Sequence, residues 1–207
     1  MQPFTRLTAL ACPLPLSSVD TDQLIPARFM KRSRSEGYGD FLLHDMRFDA
    51  DGAELADCPL NAPERKGARI LVARRNFGSG SSREAAVYAL VDYGIACVIA
   101  PSFGDIFASN SVNNGLLPAT VSESNCETLL ATLGAGTLEL SVDLDACTIR
   151  AGETAIPFEV DAVWRTKLLN GWDDIDLTLS HQAEIDAFQT RDARARPWLV
   201  PDSGPDV

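Results

Sequence analysis

The side chains best suited to chemistry are concentrated in one segment, Asn-Phe-Gly-Ser-Gly-Ser-Ser-Arg-Glu over residues 76–84. Gly78 and Gly80 let the backbone turn tightly and bring amide hydrogens close to a ligand, and the helix that follows presents its positive N-terminal end. Ser81 and Arg83 place a hydroxyl beside a fixed cation, where an alkoxide can be stabilised and a carboxylate held by two hydrogen bonds. The segment therefore predicts a pocket for a small anion.

The same residues also have a purely structural interpretation. Ser81 and Glu84 have the spacing of a capping box with Ser81 as the N-cap, and on residues 81–84 alone we prefer this interpretation. Neither nucleotide motif is present, because Arg83 occupies the third glycine position of a dinucleotide fingerprint and no Gly-Lys-Ser/Thr follows to form a P-loop. A nucleotide phosphate is therefore not the expected anion.

Two further segments carry candidate side chains. Asp20-Thr21-Asp22 sets two acids around a threonine, which can orient a catalytic group or form an Asx turn; alone, we interpret it as a turn. Residues 28–39 contain most of the basic side chains near the N-terminus: Arg28, Lys31, Arg32 and Arg34. This composition predicts a mobile surface loop or a frayed helix, serving either as a solvated face or as a substrate contact.

The composition is that of an ordinary globular protein, with 207 residues of which 45% are hydrophobic and 23% charged. Lys+Arg 18 against Asp+Glu 29 gives a formal net charge of −11, which repels nucleic acid and anionic membranes. The strongest apolar run, residues 95–100, is far shorter than the about 20 residues of a membrane-spanning helix. The apolar stretch before Cys12 is too short for a secretory signal, so we expect a cytoplasmic protein.

The metal-ligating residues show no pattern. His44 and His181 lie far apart, and no C-x-x-C pair occurs. The cysteines are an odd, scattered set: Cys12, Cys58, Cys97, Cys126 and Cys147. We therefore expect core thiols rather than a disulfide framework or a metal site, and any metal chemistry would come from a partner.

The elements that position the Gly-Ser segment form a βαβ pattern. Residues 69–74 and 96–100 are short apolar runs that predict buried strands, and residues 83–93 have the apolar spacing of a helix. We expect a parallel strand pair with a right-handed crossover. The other expected elements are an opening strand, a long connection over 45–66 and a helix or turn over 102–114. Further along the chain we expect helices over 124–133 and 182–189, a strand within 137–142 and a hairpin within 148–160.

The C-terminal segment differs in composition from the rest of the chain. Residues 191–207 are rich in proline and poor in core residues. We therefore expect one domain over residues 1–189 and a disordered tail over residues 190–207.

Five strings, in order along nearly the whole chain, resemble the small-subunit family of the 3-isopropylmalate dehydratases, within the aconitase superfamily. They are Val-Asp-Thr-Asp-Gln-Leu-Ile-Pro-Ala-Arg-Phe at 19–29, the string at 76–84, Ile-Ala-Pro-Ser-Phe-Gly-Asp-Ile-Phe at 99–107, Asn-Gly-Leu-Leu-Pro at 114–118 and Asn-Gly-Trp-Asp-Asp-Ile-Asp-Leu-Thr-Leu at 170–179. The resemblance implies an α/β fold, the aconitase-like swivel domain (β/β/α), with a βαβ core and a partly parallel sheet.

The resemblance also implies roles for site residues. Ser81 corresponds to the base that exchanges the substrate proton, and Ser82 and Arg83 correspond to ligands of a substrate carboxylate. A loop that closes over the substrate and contacts its side group corresponds to Lys31, Arg32 and Arg34. The supporting positions are Asp20, Thr21, Asp22, Gly78 and Gly80.

The partner and the cofactor are likewise implied by the resemblance. Such a domain works docked on a large subunit, as a heterodimer or a heterotetramer, and the large subunit holds a 4Fe-4S cluster while this chain binds no metal. The implied reaction interconverts 2-isopropylmalate and 3-isopropylmalate through 2-isopropylmaleate, a step of leucine biosynthesis. The cluster iron would act as the Lewis acid while Ser81 removes the proton, so the amide-lined turn and Arg83 must lower the pKa of that serine.

Two positions depart from the family pattern. Ser79 stands where cysteine is common, and Ala85-Ala86 stands where histidine and alanine are common. Three alternatives therefore stay open: a subunit acting on isopropylmalate, a subunit acting on a related diacid such as citraconate or maleate, and a non-catalytic subunit that still docks.

Overall fold

A seven-stranded mixed sheet organises residues 1–199, the part of the chain that the computed structural model describes. Its strands are β1 (Arg6–Leu14), β2 (Ile70–Ala73), β3 (Cys97–Ala100), β4 (Leu117–Thr120), β5 (Glu139–Asp143), β6 (Thr148–Ala151) and β7 (Thr154–Pro157). In the order β4-β3-β2-β1-β5-β6-β7, the strands from β4 to β1 are parallel and those from β1 to β7 antiparallel. The predicted α/β class with a partly parallel sheet is confirmed.

The predicted βαβ unit lies in the parallel half. β2 and β3 are buried along their whole length and pair in parallel, with Ile70 opposite Cys97. The helix α3 (Glu84–Tyr93) connects them. A second helix, α4 (Asp105–Asn113), leads from β3 to β4. The turns that follow β2 and β3 therefore meet at the carboxyl edge of the sheet.

Helices cover both faces of the sheet because both faces of the parallel strands are apolar. On one face lie α5 (Glu123–Gly134) and α6 (Ala162–Asn170), whose buried side chains share a core cluster with Ile70 and Val72. On the other lie α3 and α1 (Thr21–Leu24), whose buried side chains share a second cluster with Leu71 and Ala73. The short helix α2 (His44–Arg47) follows on that second side. Buried helices on both faces leave the edge of the sheet as the place for polar side chains.

The basic segment has more regular structure than we expected. Instead of a loop or a frayed α-helix, it forms three 3-10 helices, Ala27–Lys31, Arg34–Glu36 and Tyr38–Phe41. Phe29 stacks on Phe41 with ring centroids 4.3 Å apart, and Tyr38 is buried. These aromatic contacts hold the segment against the α3 side of the core, and charge composition alone gives no indication of them.

The C-terminal helix is longer than predicted. After α7 (Asp174–Leu179), α8 runs from Gln182 to Ala195 and a 3-10 turn spans Pro197–Leu199, so helical structure continues into the segment that we expected to be a tail. An ion pair between Arg196 and Asp192 supports the last turn of α8. The remainder of the predicted tail, residues 200–207, lies outside the described residues.

Four of the five cysteines lie in the core, as we expected. All five cysteines are free thiols, and four of them are buried. Within residues 1–199, no helix has the length and apolar character needed to cross a membrane.

Candidate active site

The Gly-Ser turn follows β2 and is anchored by a fully buried phenylalanine. Phe77 donates its amide to Ser102 O at 3.0 Å, and its own carbonyl accepts from Gly104 N at 2.9 Å. Gly78 has a φ of +72°, and a Cβ at this position would lie 2.2 Å from Cγ of Phe107. Only glycine satisfies both the backbone angle and the space. The turn is therefore fixed at its base by the neighbouring loop after β3.

Asp20-Thr21-Asp22 and the Gly-Ser turn come together at the carboxyl edge of the sheet. Thr21 N donates to Ser79 O at 2.9 Å, and Ser81 N donates to Thr21 Oγ1 at 3.1 Å. Thr21 is 1% exposed, so its hydroxyl is a fixed acceptor rather than a mobile surface group. Asp20 caps α1 by accepting from Gln23 N at 2.7 Å, which replaces the isolated turn that we expected. Thr21 thus holds the Gly-Ser turn on both sides of Gly80, at Ser79 and at Ser81.

Arg83 is oriented by the last acid of the same motif. Its Nη1 donates to the Asp22 carboxylate, and the Arg83 side chain is only 27% exposed. Asp22 is 57% exposed, so solvent and an incoming ligand can reach the pair from its side. The guanidinium keeps donors beyond those used by this contact. It can therefore bind a carboxylate while Asp22 holds its direction.

The predicted capping box is wrong. The N-cap of α3 is Arg83 rather than Ser81, and no side chain caps the helix. The Ser81 amide is instead directed to Thr21, which keeps Ser81 and Ser82 in the turn before the helix begins. Within residues 1–199, the hydroxyls of both serines have no hydrogen-bond partner, and both residues are exposed. Two free hydroxyls thus stand beside the positive end of a helix and a guanidinium.

The structure does not bring the basic segment to the serines. Arg34 Nη2 donates to Asp92 Oδ1 at 2.9 Å, and its guanidinium lies 3.9 Å from the centroid of the Tyr88 ring. Asp92 is eight residues beyond Glu84 on α3, or about 12 Å along the helix axis. Arg34 is therefore held along α3, over Tyr88 and beside Asp92, and it forms no hydrogen bond with the Ser-Arg turn.

The other basic side chains of the segment differ in their partners. Arg28 pairs with Asp45, and the guanidinium holds the pKa of that carboxyl below its usual range. Arg32 Nη1 lies 3.7 Å from Glu36 Oε2, within the same segment. Lys31 is exposed, and no acidic side chain of the described chain lies within 4 Å of it. Only Arg28 and Arg34 therefore tie the segment to other helices by charge.

The loop after β3 supports the site, although our interpretation of the residues gave it no role. Ser102 Oγ accepts from Asn76 N at 2.8 Å, at the start of the Gly-Ser turn. Gly104 approaches so closely that a Cβ there would lie 2.6 Å from Gly78 O. The string Pro-Ser-Phe-Gly directly follows a buried strand, which is typical of a turn at the edge of a parallel sheet. This pattern could have indicated from the sequence that the loop contributes to the site.

The titratable side chains of residues 1–199 form no cluster that could hold a metal ion. No group of three or more histidine, cysteine, aspartate or glutamate side chains converges anywhere in residues 1–199. Burial raises the pKa of the Cys12 thiol to about 12 and that of Cys126 to about 11, so neither is a ready thiolate ligand.

The fold and the site define a class of protein: an α/β domain with an exposed serine-arginine turn at the carboxyl edge of its parallel strands. The two candidate serines lie at the surface of the described chain, and Arg83 is partly buried beside them. Three family models match the sequence: the aconitase C-terminal domain over residues 1–124, LeuD_N over 127–162, and the C-terminal domain of the 3-isopropylmalate dehydratase small subunit over 174–202.

Individual proteins give the same result. The chain is 48% identical over 201 residues to the 3-isopropylmalate dehydratase small subunit of Caulobacter vibrioides, covering 96% of this chain and 99% of that protein. It is 48% identical over 202 residues to the small subunit of Rhodospirillum centenum, covering 97% and 100%. The crystal structure of 3-isopropylmalate dehydratase from Methanocaldococcus jannaschii matches with a TM-score of 0.60 and 25% identity, covering 89% of this chain and 99% of that chain. The chain belongs to the family of 3-isopropylmalate dehydratase small subunits.

Proposed function

We propose that this chain supplies the serine-arginine half of a composite active site that interconverts 2-isopropylmalate and 3-isopropylmalate in leucine biosynthesis. The chain belongs to a family of small subunits of a hydro-lyase, and the name small subunit implies a large subunit with which it works. The observation that carries the proposal is the arrangement of Ser81, Ser82 and Arg83 on one exposed turn held by Thr21. A turn of this kind offers a base and a carboxylate ligand to a substrate that lies on its open side.

Arg83 binds one carboxylate of the substrate. In the free chain its Nη1 donates to Asp22, and the remaining donors of the guanidinium are available for a bidentate pair. Ser82 lies next to it in the turn and adds a neutral donor for the same carboxylate. The reacting carbon is thereby placed against the open face of the turn. Because the substrate is held in this orientation, its reaction with the turn no longer depends on a random encounter.

Ser81 Oγ takes the proton from the carbon next to the departing hydroxyl and returns it in the hydration step. Serine is a weak base at its ordinary pKa, so its alkoxide must be stabilised where it forms. The Arg83 guanidinium and the uncapped N-terminus of α3 supply positive charge on that side of the turn. The departure of the hydroxyl is left to the surface that faces this chain.

The missing half of the site belongs to the large subunit. We assign the 4Fe-4S cluster of the enzyme to that subunit, as the match to the aconitase C-terminal domain suggests. The assembly is a heterodimer or a heterotetramer, and the five free thiols suit the reducing cytoplasm. Lys31, Arg32 and Arg34 then contact the side group of the substrate with their aliphatic stems, which requires Arg34 to leave Asp92.

The test is turnover by the two-chain enzyme. The chain is co-expressed with the dehydratase large subunit of the same organism, the cluster is reconstituted without oxygen, and formation of 2-isopropylmaleate is followed by its ultraviolet absorbance. We expect activity only with both chains, loss of more than about a thousandfold in Ser81→Ala, and normal activity in the matched control Ser79→Ala. Retained activity in Ser81→Ala would remove the proposed base, and turnover of citraconate or maleate alone would change the substrate.

A further inference from the structure

The first residue of α3 is held from a second helix. Glu84 Oε1 accepts a hydrogen bond from Asn114 Nδ2 at 2.9 Å, and the same amide nitrogen donates to Asn110 O at 2.9 Å. Asn114 ends α4, whereas Glu84 directly follows the Ser-Ser-Arg turn. One side-chain amide thus connects the C-terminal end of α4 to the start of α3.

Asn114 is itself firmly placed. Its backbone amide donates to Ser111 O at 3.0 Å, which closes the last turn of α4. The preceding residue, Asn113, accepts from Nζ of Lys167, a lysine that is 3% exposed. That ammonium also donates to Asp174 Oδ1 at 2.7 Å. The end of α4 is therefore fixed from α6 and α7, and it is a rigid point from which to hold another element.

The first turn of α3 depends on a contact from outside the helix, because no side chain caps its N-terminus. A helix without a side-chain cap frays at its first turn, and fraying of α3 would displace the serines that precede Glu84. The contact with Asn114 restrains this first residue laterally. The Glu84 carboxylate also acts on the Tyr88 hydroxyl, whose pKa is raised by burial and by Glu84.

We propose that Glu84 and Asn114 are positioning residues for the catalytic turn, acting through the direction of the first turn of α3. This inference rests on the proposed function of Ser81 and Arg83. Neither Glu84 nor Asn114 touches the substrate. Because Glu84 is exposed, its hydrogen bond contributes little to the free energy of unfolding, whereas a displacement of about 1 Å at a reacting group costs about a hundredfold in rate.

The test measures kcat, KM and thermal stability of the two-subunit enzyme carrying Asn114→Ala, Glu84→Ala or both. We expect kcat to fall about tenfold in each single variant, with KM changed less than about threefold, and no further fall in the double variant. Glu84→Gln retains an oxygen acceptor and is expected to keep most of the activity. The matched control is Asn170→Ala, which removes an equivalent bond to Thr166 O at the end of α6.

Three outcomes would overturn the inference. The first is an unchanged kcat in both single variants, and the second is a fall in kcat in the double variant equal to the product of the two single falls. The third is a fall in kcat that accompanies a lowered melting temperature in all variants, including the control Asn170→Ala. Assembly with the large subunit is measured in parallel by sedimentation, so that failed docking is not mistaken for a displaced turn. Failure of the proposed function is a separate result, because it shows as retained turnover in Ser81→Ala whatever Glu84 and Asn114 do.

Discussion

Thr21 offers a way to separate the stability of the domain from the geometry of its site. Its hydroxyl accepts a hydrogen bond from the Ser81 amide, and the whole residue, including its methyl group, is only 1% exposed. Thr21→Val preserves the shape of the side chain and removes the acceptor. Thr21→Ser preserves the acceptor and removes the methyl group. The two variants therefore perturb the same residue in opposite ways.

The expected losses of stability are similar. Removing one partner of a hydrogen bond costs about 1 kcal/mol, and removing one buried methyl group costs about 0.5–1.5 kcal/mol. For a chain of 207 residues, each 1 kcal/mol lowers the melting temperature by roughly 2–4 °C. The expected effects on catalysis differ. In Thr21→Val the Ser81 segment is released and kcat falls about tenfold, whereas in Thr21→Ser kcat stays within about twofold of the parent.

The assay combines calorimetry of the free chain with steady-state kinetics of the two-subunit enzyme. We expect both variants to melt a few degrees lower and only Thr21→Val to lose kcat. If both variants lose activity in proportion to their melting temperatures, Thr21 acts only through the core. If Thr21→Val keeps full activity, the hydrogen bond to Ser81 does not position the serine.

Three further outcomes are expected. Arg83→Lys raises KM at least tenfold, because an ammonium cannot bind a carboxylate bidentately, and steady-state kinetics measure this. Gly78→Ala destabilises the free chain more than Gly80→Ala in denaturant unfolding, because a Cβ at Gly78 meets Phe107 at 2.2 Å whereas one at Gly80 has no neighbour closer than 3.5 Å; equal losses would exclude the clash. The pKa of the Asp143 carboxyl is lowered by the backbone amide of Ala146 and by the guanidinium of Arg6. This carboxylate therefore stabilises the folded chain fully above the unfolded pKa near 3.8, and the stabilisation is lost as pH falls below that value. In Asp143→Asn the melting temperature is expected to depend less on pH in that window.

The secondary structure around the site could be predicted because its patterns are local. Two short apolar runs flanked by glycine and serine predict buried strands, and β2 and β3 are found there with α3 between them. The same reasoning failed at Ser81. A capping box needs only four consecutive residues, whereas the contact that prevails comes from Thr21, sixty residues earlier in the chain. A local pattern contains no information about that contact.

The basic segment illustrates the same limit in a different way. Its charges predict exposure, and Arg34 is indeed 43% exposed. The partners that order the segment lie elsewhere in the sequence: Asp92 on α3 pairs with Arg34, and Asp45 pairs with Arg28. The aromatic stack of Phe29 and Phe41 follows neither helical nor strand spacing. The packing of this segment against the core depends on tertiary contacts. The composition therefore indicated that the segment lies at the surface but not which conformation it adopts.

The most direct test of the account is whether Ser81 exchanges the substrate proton. The two-subunit enzyme is incubated with 3-isopropylmalate in deuterated water, and deuterium at the carbon that loses its proton is followed by nuclear magnetic resonance, with substrate binding measured by calorimetry. Ser81→Ala is predicted to bind the substrate with nearly the parent affinity and to incorporate no deuterium, whereas Ser79→Ala incorporates it at the parent rate. Incorporation by Ser81→Ala at the parent rate would show that another group is the base.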